Sequence, residues 1–477
     1  MSEGMNGGMR ALVGATVITA TGEHPIDGGV VLVEDSRIVA VGTRQEVPVP
    51  EAADVIDLSR HYLLPGLIDG NVHLVPWPGW NYAEFLARYE DRLDEVAVEA
   101  AQVLLASGFT TVFDTMGPLD ALLAARDRSE SGAVVAARIR VAGNIVGFRA
   151  VFTTPEAMAS ATRGLQDRMN RRFEAGGGPD LCWKSPAQIY DQMTRYVEQG
   201  VDFVKYGATG DDEPVNSSTG QWAVLRFSPD QQRAIVEAVH AAGKTVQTHT
   251  TSAESVHIAV EVGNDIGQHV AFTCASRLYD RTIELMLERG YCCGTQWAPL
   301  TDEQLRIVEQ RDFPGDDRFN GAEGYNYELE NSVRLIEAGV PQFVSTDSIV
   351  FDPDVAGDAD WGGLGGHKSI SGEAQFLVMQ SMSQRGMTNM QIIQSATSTP
   401  AKAYQMDSEI GTLEAGKVAD MVVVGSDPLE EIANLRDVRM VMKGGEVVDV
   451  DALPSSPVLT SASARHPGLV RKSDARG

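Results

Sequence analysis

Cysteine and basic residues are scarce in this chain of 477 residues, which has four cysteines and 39 lysines and arginines against 66 acids. Two of the cysteines, Cys292 and Cys293, are adjacent and the others are scattered, so neither a disulfide framework nor a Cys-x-x-Cys metal site is predicted. The formal net charge is -27 and no basic cluster of useful size occurs. Nucleic acid and anionic membranes are therefore poor partners.

The sequence also lacks an apolar run long enough to cross a membrane. Residues 11–20 are apolar, but this stretch is too short and too strand-like for a signal sequence. We therefore expect a cytoplasmic enzyme. Residues 451–477 show no hydrophobic periodicity and are expected to form a mobile tail.

Histidine is scarce too, with nine residues, and its positions are informative. The apolar run at residues 63–73 ends in Asn71 and His73, whose i, i+2 spacing points both side chains to the same side of a strand. Four later segments end in residues that could join them, namely Lys205, His249, His269 and Asp347. A lone residue of this kind is more often a satisfied polar group than a ligand, but the joint pattern favours a metal site.

Each of these residues closes a β-rich run that follows a helical pattern and a glycine. Together with the run ending at His73, the predicted strands number eight and include residues 110–115, 138–143, 201–207, 245–249, 265–270, 291–297 and 341–347. Eight parallel strands alternating with helices predict an α/β fold of the TIM (β/α)8 barrel type, with its active site at the carboxyl ends of the strands.

The remaining segments predict a second, smaller domain. Residues 1–62 and 405–450 are rich in short alternating strands, and we expect the two chain ends to pair into a β-sandwich. The barrel would then occupy residues 63–404. Length agrees with this division, because a barrel domain usually takes about 250 residues.

Two long motifs give the chain its resemblance to a known family. Leu-Pro-Gly-Leu-Ile-Asp at residues 64–69 and Ile-Gly-Thr-Leu-Glu-Ala-Gly-Lys-Val-Ala-Asp-Met-Val-Val at residues 410–423 are similar to the first barrel strand and the return segment of the metal-dependent amidohydrolase superfamily. The resemblance covers residues 11–449. It implies one or two divalent metal ions, with zinc favoured over cobalt or manganese. The ligands it implies are Asn71, His73, Lys205, His249, His269 and Asp347.

Lys205 resembles the strand-four lysine of the branch in which a carboxylated lysine bridges two metals. An ammonium cannot bind a cation, but a neutral amine can add carbon dioxide and become anionic. The alternative is a buried lysine paired with an acid.

Asn71 departs from the His-x-His pair of most members and resembles a small subgroup acting on phenylurea herbicides and on the thiocarbamate molinate. An amide oxygen is a weak ligand, so Asn71 could instead hydrogen-bond beside the ligands. The number of metal ions therefore stays open.

The resemblance also implies a mechanism and a substrate class. Asp347 would accept a proton from the attacking water and return it to the leaving amine or thiol. His367, in a glycine-rich segment, would either assist at the carbonyl oxygen or begin a helix. Trp77, Trp297 and Tyr206 are candidate substrate contacts for a small apolar or aryl molecule, although Tyr206 should point away from Lys205 in a regular strand. Homo-oligomers are expected from the relatives.

Three alternative functions use or discard the same residues. A prolidase-like dipeptidase needs a cation for the substrate carboxylate, and the sequence assigns none. A deaminase would need a glutamate three residues after His249, where Ser252 stands. A metal-free scaffold is favoured by Asn71 alone. Retention of Lys205, His249, His269 and Asp347 argues against it, because an abandoned site has no physical reason to keep such costly polar groups together.

Overall fold

The computed structural model describes residues 8–75, 82–148, 162–210, 225–273, 276–313, 327–350 and 371–459. Its strands are β1 (Met9–Val17), β2 (Ile26–Glu34), β3 (Arg37–Gly42), β4 (Asp54–Asp57), β5 (Tyr62–Pro65), β6 (Leu67–His73), β7 (Phe109–Asp114), β8 (Arg138–Val141), β9 (Val204–Gly207), β10 (Val246–His249), β11 (Ile266–Gln268), β12 (Cys292–Thr295), β13 (Gln342–Val344), β14 (Ser348–Ile349), β15 (Met421–Val424), β16 (Val438–Lys443) and β17 (Glu446–Val448).

The α-helices of the described residues are α1 (Tyr82–Tyr89), α2 (Leu93–Ala106), α3 (Leu119–Glu130), α4 (Arg163–Phe173), α5 (Pro186–Val197), α6 (Pro229–Ala241), α7 (Ala253–Glu261), α8 (Asp280–Arg289), α9 (Asp302–Gln310), α10 (Glu328–Ala338), α11 (Ala374–Gln384), α12 (Asn389–Ser395) and α13 (Ser398–Ala403). Capping boxes begin α5 and α6, each followed by a proline at the first helical position. None of the described helices is both long and apolar enough to cross a membrane.

Eight parallel strands, β6 to β13, alternate with helices in the middle of the chain. They form two sheets, one in the order β13-β12-β11-β10-β9 and one in the order β6-β7-β8, and the short strand β14 pairs with β6 in parallel. Backbone hydrogen bonds link the sheets at both edges. Val146 N donates to Lys205 O over 2.8 Å on one side, and Asp347 N donates to Asn71 O over 2.8 Å on the other. The carboxyl ends of the strands therefore face the same side.

The two chain ends meet in one eight-stranded sheet, in the order β17-β16-β15-β5-β1-β2-β3 with β4 beside β1. Apolar side chains cover both faces: Leu12 and Val31 belong to one cluster, and Val13 and Val30 to another. The sequence predicted paired chain ends, but as a sandwich. It also began the barrel at residue 63, whereas β5 pairs with β15 as far as Pro65, so the change of sheet comes at Gly66.

Apolar side chains from the parallel strands pack around Tyr404, which directly follows α13. Phe113 stacks on the Tyr404 ring at 3.7 Å, and the tyrosine hydroxyl donates to Gly70 O over 2.7 Å. Glycine is required at position 70, because an added Cβ would lie 2.2 Å from the Phe343 ring. This packing leaves the polar residues to collect at the carboxyl ends of the strands.

A largely buried ion pair joins β8 to the terminal sheet. Arg138 Nη1 lies 2.6 Å from Asp420 Oδ2, with 17% and 4% of the two side chains exposed. The same carboxylate accepts from Gly444 N over 2.7 Å. Asp420 lies within the motif at residues 410–423. Its buried ion pair therefore gives this part of the motif a structural role.

Replacing Asp420 by alanine should lower the free energy of unfolding by about 3–5 kcal/mol, because it leaves the Arg138 guanidinium buried without its partner. The matched control is Glu95→Ala, which breaks the exposed Arg92–Glu95 pair and should cost under about 1 kcal/mol. Urea unfolding followed by circular dichroism measures both variants. Equal losses would show that Asp420 does not join the two units.

Candidate active site

Four ligand-type side chains from four different strands meet at the carboxyl ends of the parallel strands. His73 Nε2 lies 2.9 Å from Asp347 Oδ1, and His269 Nε2 lies 3.8 Å from Asp347 Oδ2. The His249 ring centroid lies 5.1 Å from that of His269. The three imidazoles are almost fully buried, while 29% of the Asp347 side chain stays exposed. The structure thus brings together residues that are far apart in the sequence.

Two of these residues have a backbone conformation that L-amino acids rarely adopt. His269 has φ of 58° directly after β11, and Asp347 has φ of 59° shortly after β13. Such left-handed residues cost free energy and persist where the surrounding structure holds them, which is common at functional sites. Here the turn aims both side chains at the same point.

Asn71 and Lys205 form a hydrogen-bonded group beside Asp347. Asn71 Nδ2 donates to Asp347 Oδ1 over 2.9 Å and to Gln268 Oε1 over 3.4 Å. Asn71 Oδ1 accepts from the Thr115 hydroxyl and from Lys205 Nζ, the latter over 3.5 Å. Lys205 Nζ also donates to Thr115 Oγ1 over 3.2 Å. Both ends of the Asn71 amide are therefore engaged by protein groups.

The charges around Asp347 set its protonation state. Desolvation alone would raise the pKa of this carboxyl, but attraction to His269, His73 and Lys205 outweighs desolvation and holds the pKa well below its usual range. Asp347 is therefore ionised.

The donor types at this point fit a divalent metal ion, because three imidazoles and a carboxylate are ligands that such ions prefer. The side chains, however, contact one another directly, as the His73–Asp347 hydrogen bond shows. Within the described ranges, no three His, Cys, Asp or Glu side chains are spaced to hold an ion as they stand. The set fits a metal in chemistry, and binding would require His73 and Asp347 to separate.

Asp69 is a buried carboxylate that the sequence reasoning left without a role. Its Oδ1 accepts from Asn71 N and Thr346 N, each over 3.1 Å, and its Oδ2 accepts from the Thr346 hydroxyl over 2.6 Å and Gln375 Nε2 over 2.8 Å. Burial raises its pKa to about 6, although these hydrogen bonds oppose the rise. Asp69 thus ties β6, the end of β13 and α11 together. Its place in the motif at residues 64–69 was the available signal.

The structure describes two of the predicted substrate contacts, Tyr206 and Trp297. Tyr206 is fully buried and its hydroxyl donates to Gln232 Oε1 over 3.0 Å, so it points away from Lys205, as regular strand geometry predicts. Trp297 is 3% exposed and lies under the Arg385 guanidinium at 5.1 Å, which gives it a packing role. Trp77 and His367 lie outside the described residues.

One aromatic residue that sequence reasoning missed does lie at the site. The Phe148 ring meets the His249 ring edge to face, with 5.2 Å between centroids. Phe148 forms a small apolar cluster with Met116 and Ile145, which follow β7 and β8. No sequence motif marked these residues, because single apolar side chains after a strand are common.

Asp69→Asn should lower the free energy of unfolding by about 1–3 kcal/mol, because the new amide group must turn a donor toward one of the four donors that Asp69 accepts from. Asp57→Asn is the control, since Asp57 is exposed and its carboxylate accepts hydrogen bonds from nearby Ser59. Urea unfolding at pH 7.5 measures both, and an unchanged midpoint for Asp69→Asn would show that this carboxylate does not hold the strand ends together.

Comparison with known proteins places the chain. The family model described as "Amidohydrolase family" matches residues 62–448. Among solved structures, molinate hydrolase is 36% identical with a TM-score of 0.86, over 95% of this chain and 97% of that one. Phenylurea hydrolase B is 32% identical with a TM-score of 0.86, over 95% and 99%.

A more distant relative is the 5-methylthioadenosine/S-adenosylhomocysteine deaminase of Moorella thermoacetica, 23% identical over 86% of this chain and 84% of that protein. The family match, together with the convergence of His73, His249, His269 and Asp347, agrees with an enzyme that acts on carbon-nitrogen bonds. The chain belongs to the amidohydrolase family.

Proposed function

We propose that the chain is a metal-dependent hydrolase that cleaves the C–N bond, or the thiocarbamate C–S bond, of an apolar or aryl urea, carbamate, thiocarbamate or amide. The observation that carries the proposal is the meeting of His73, His249, His269 and Asp347 at one point. The similarity to molinate hydrolase and phenylurea hydrolase B, each over 95% of the chain, supports this substrate class.

We also propose that β6 to β13 close into a (β/α)8 barrel. Two pieces of evidence support closure: Val146 N and Gly207 N bond across the β8–β9 edge, and Asp347 N bonds across the β13–β6 edge. In such a barrel, side chains at the carboxyl ends of the strands share one mouth. Closure therefore accounts for the meeting of the four side chains.

His73, His249, His269 and Asp347 would hold a divalent ion, with zinc, cobalt and manganese as the candidates. When bound, such an ion lowers the pKa of a water molecule and polarises the substrate carbonyl. Asp347 supplies the proton transfer. It is the most exposed of the four side chains, so it is the one placed to take a proton from the attacking water and deliver it to the departing amine or thiol.

Asn71 acts in this proposal through hydrogen bonds rather than as a ligand. Its Nδ2 holds Asp347 Oδ1, and its Oδ1 is taken by Thr115 and Lys205. A histidine at position 71 could not make all of these contacts, because an imidazole has two nitrogens and no oxygen. The arrangement favours one ion held by the other ligands, with Lys205 beside it.

The apolar substrate class is supported by the cluster of Phe148, Met116 and Ile145 next to His249. Arg226 could have served a substrate carboxylate, as a dipeptidase requires. Its guanidinium, however, packs over Phe148 at 5.4 Å and donates to Gly147 O over 3.0 Å. A solved Xaa-Pro dipeptidase is 22% identical with a TM-score of 0.68, which shows the fold alone.

The proposal predicts that protein purified without chelators contains at least one divalent ion per chain and hydrolyses a phenylurea or a thiocarbamate. Removing the ion with a chelator should abolish turnover, and adding zinc, cobalt or manganese should restore it. Elemental analysis and product chromatography measure this, with a prolyl dipeptide as the competing substrate. Cleavage of the dipeptide alone, or turnover that survives complete metal removal, would overturn the proposal.

Asp347→Asn should reduce kcat by at least about a hundredfold, because general acid–base transfer contributes about 10²–10⁴ in rate. Folding should stay close to wild type, since the amide keeps the shape of the side chain. Asp312→Asn, at an exposed position beyond the end of α9, is the matched control. Steady-state kinetics with the substrate found above measures both, and near wild-type turnover by Asp347→Asn would remove it from the mechanism.

A further inference from the structure

A buried carboxamide lies beside Lys205. Gln247 on β10 is 0% exposed, and neither its Oε1 nor its Nε2 has a hydrogen-bond partner among the residues that the structure describes. Burying an amide without a partner costs free energy, so such groups normally have protein or water partners. This position therefore points to a binding partner other than the described side chains and backbone around it.

The register of the sheet shows where Gln247 points. In the parallel pairing of β9 with β10, Gln247 lies directly opposite Lys205, so the two side chains project from the same side of the sheet. His249 follows two residues later and projects to that side as well. Gln247 therefore lies one level below the histidines, next to the lysine.

The neighbours of Gln247 narrow the choice of partner. An ammonium at Lys205 offers only hydrogen-bond donors. It could donate to Gln247 Oε1, but it could not accept a hydrogen bond from Gln247 Nε2. A lysine that has added carbon dioxide offers an N–H donor and carboxylate acceptors together. The carboxamide of Gln247 presents the complementary acceptor and donor. On the neighbouring strand, Gln268 Nε2 is a second buried amide donor with no partner among the described residues.

We infer that Gln247 is a positioning residue that binds and stabilises the carboxylated form of Lys205. The inference rests on the proposed function, in which Lys205 stands beside the metal ligands. The modification itself balances simply: the ammonium loses one proton to solvent, the neutral amine forms an N–C bond with carbon dioxide, and a second proton leaves to give the carbamate anion. Gln247 Nε2 would then donate to a carbamate oxygen, and Gln247 Oε1 would accept from the carbamate N–H.

The test is ¹³C NMR of the metal-loaded protein equilibrated with ¹³C-bicarbonate. Wild type should show a carbamate carbon signal that is absent from Lys205→Ala, which assigns it. Gln247→Leu should lose the signal or require on the order of tenfold more bicarbonate to reach half occupancy, a loss typical of groups that support a ligand. Metal content per chain, measured by elemental analysis, should fall with it.

Gln342→Leu is the matched control. Gln342 is also buried, but it begins β13 and donates to Val340 O over 3.1 Å, at the opposite end of the strand from Asp347. It should keep the wild-type signal. Gln247→Glu, which keeps the shape but puts a negative charge beside the carbamate, should also lose the signal, and it serves if the leucine variant does not fold.

Two results would overturn the inference: a wild-type carbamate signal retained at the same bicarbonate concentration in folded Gln247→Leu or Gln247→Glu, or the absence of the signal from wild type itself. In the latter case Gln247 would bind an ordered water. If the proposed function is wrong instead, metal-loaded wild type will hydrolyse none of the substrates.

Discussion

Two hydrogen bonds from Thr346 to the buried Asp69 carboxylate hold β6 against the segment that follows β13, and the candidate site depends on this junction. Asn71 and His73 follow on one side, and Asp347 follows on the other. Because Asp347 also takes a left-handed backbone conformation, its side chain needs firm support to stay in place. The motif that identifies the family is therefore the element that brings a proton-accepting carboxylate and an imidazole within contact.

The site combines opposite charges in an enclosed space. Asp347 is kept ionised by His269, His73 and Lys205, while the buried Asp114 beside them has its pKa raised well above the usual value by desolvation. Asp114 instead accepts from Leu74 N and Met116 N and so fixes the segments that follow β6 and β7. Two buried carboxylates thus hold the strand ends and a third is available for chemistry. This division of roles follows from which groups surround each carboxylate.

The sequence predicted the parallel strands and the convergence of His73, His249, His269 and Asp347, because helix–glycine–strand repeats and strand-end positions are local signals. It could not predict the contact that the Tyr206 hydroxyl makes, since this contact depends on the packing of α6 through Gln232. It gave Asp69 no role although the motif at residues 64–69 contains it, and it missed Gln247 because an amide within a strand does not show which side chains face it. Trp297 stays a predicted substrate contact, although it is buried and the Arg385 guanidinium lies over its ring.

We propose that His73, His249, His269 and Asp347 bind a catalytic metal ion. Anomalous X-ray diffraction at the absorption edge of the metal tests this binding most directly. Crystals of protein purified without chelators should show an anomalous peak within about 2.0–2.2 Å of imidazole nitrogens of His73, His249 and His269 and a carboxylate oxygen of Asp347. A peak bound by other residues, or none after soaking with zinc, cobalt and manganese, would contradict it.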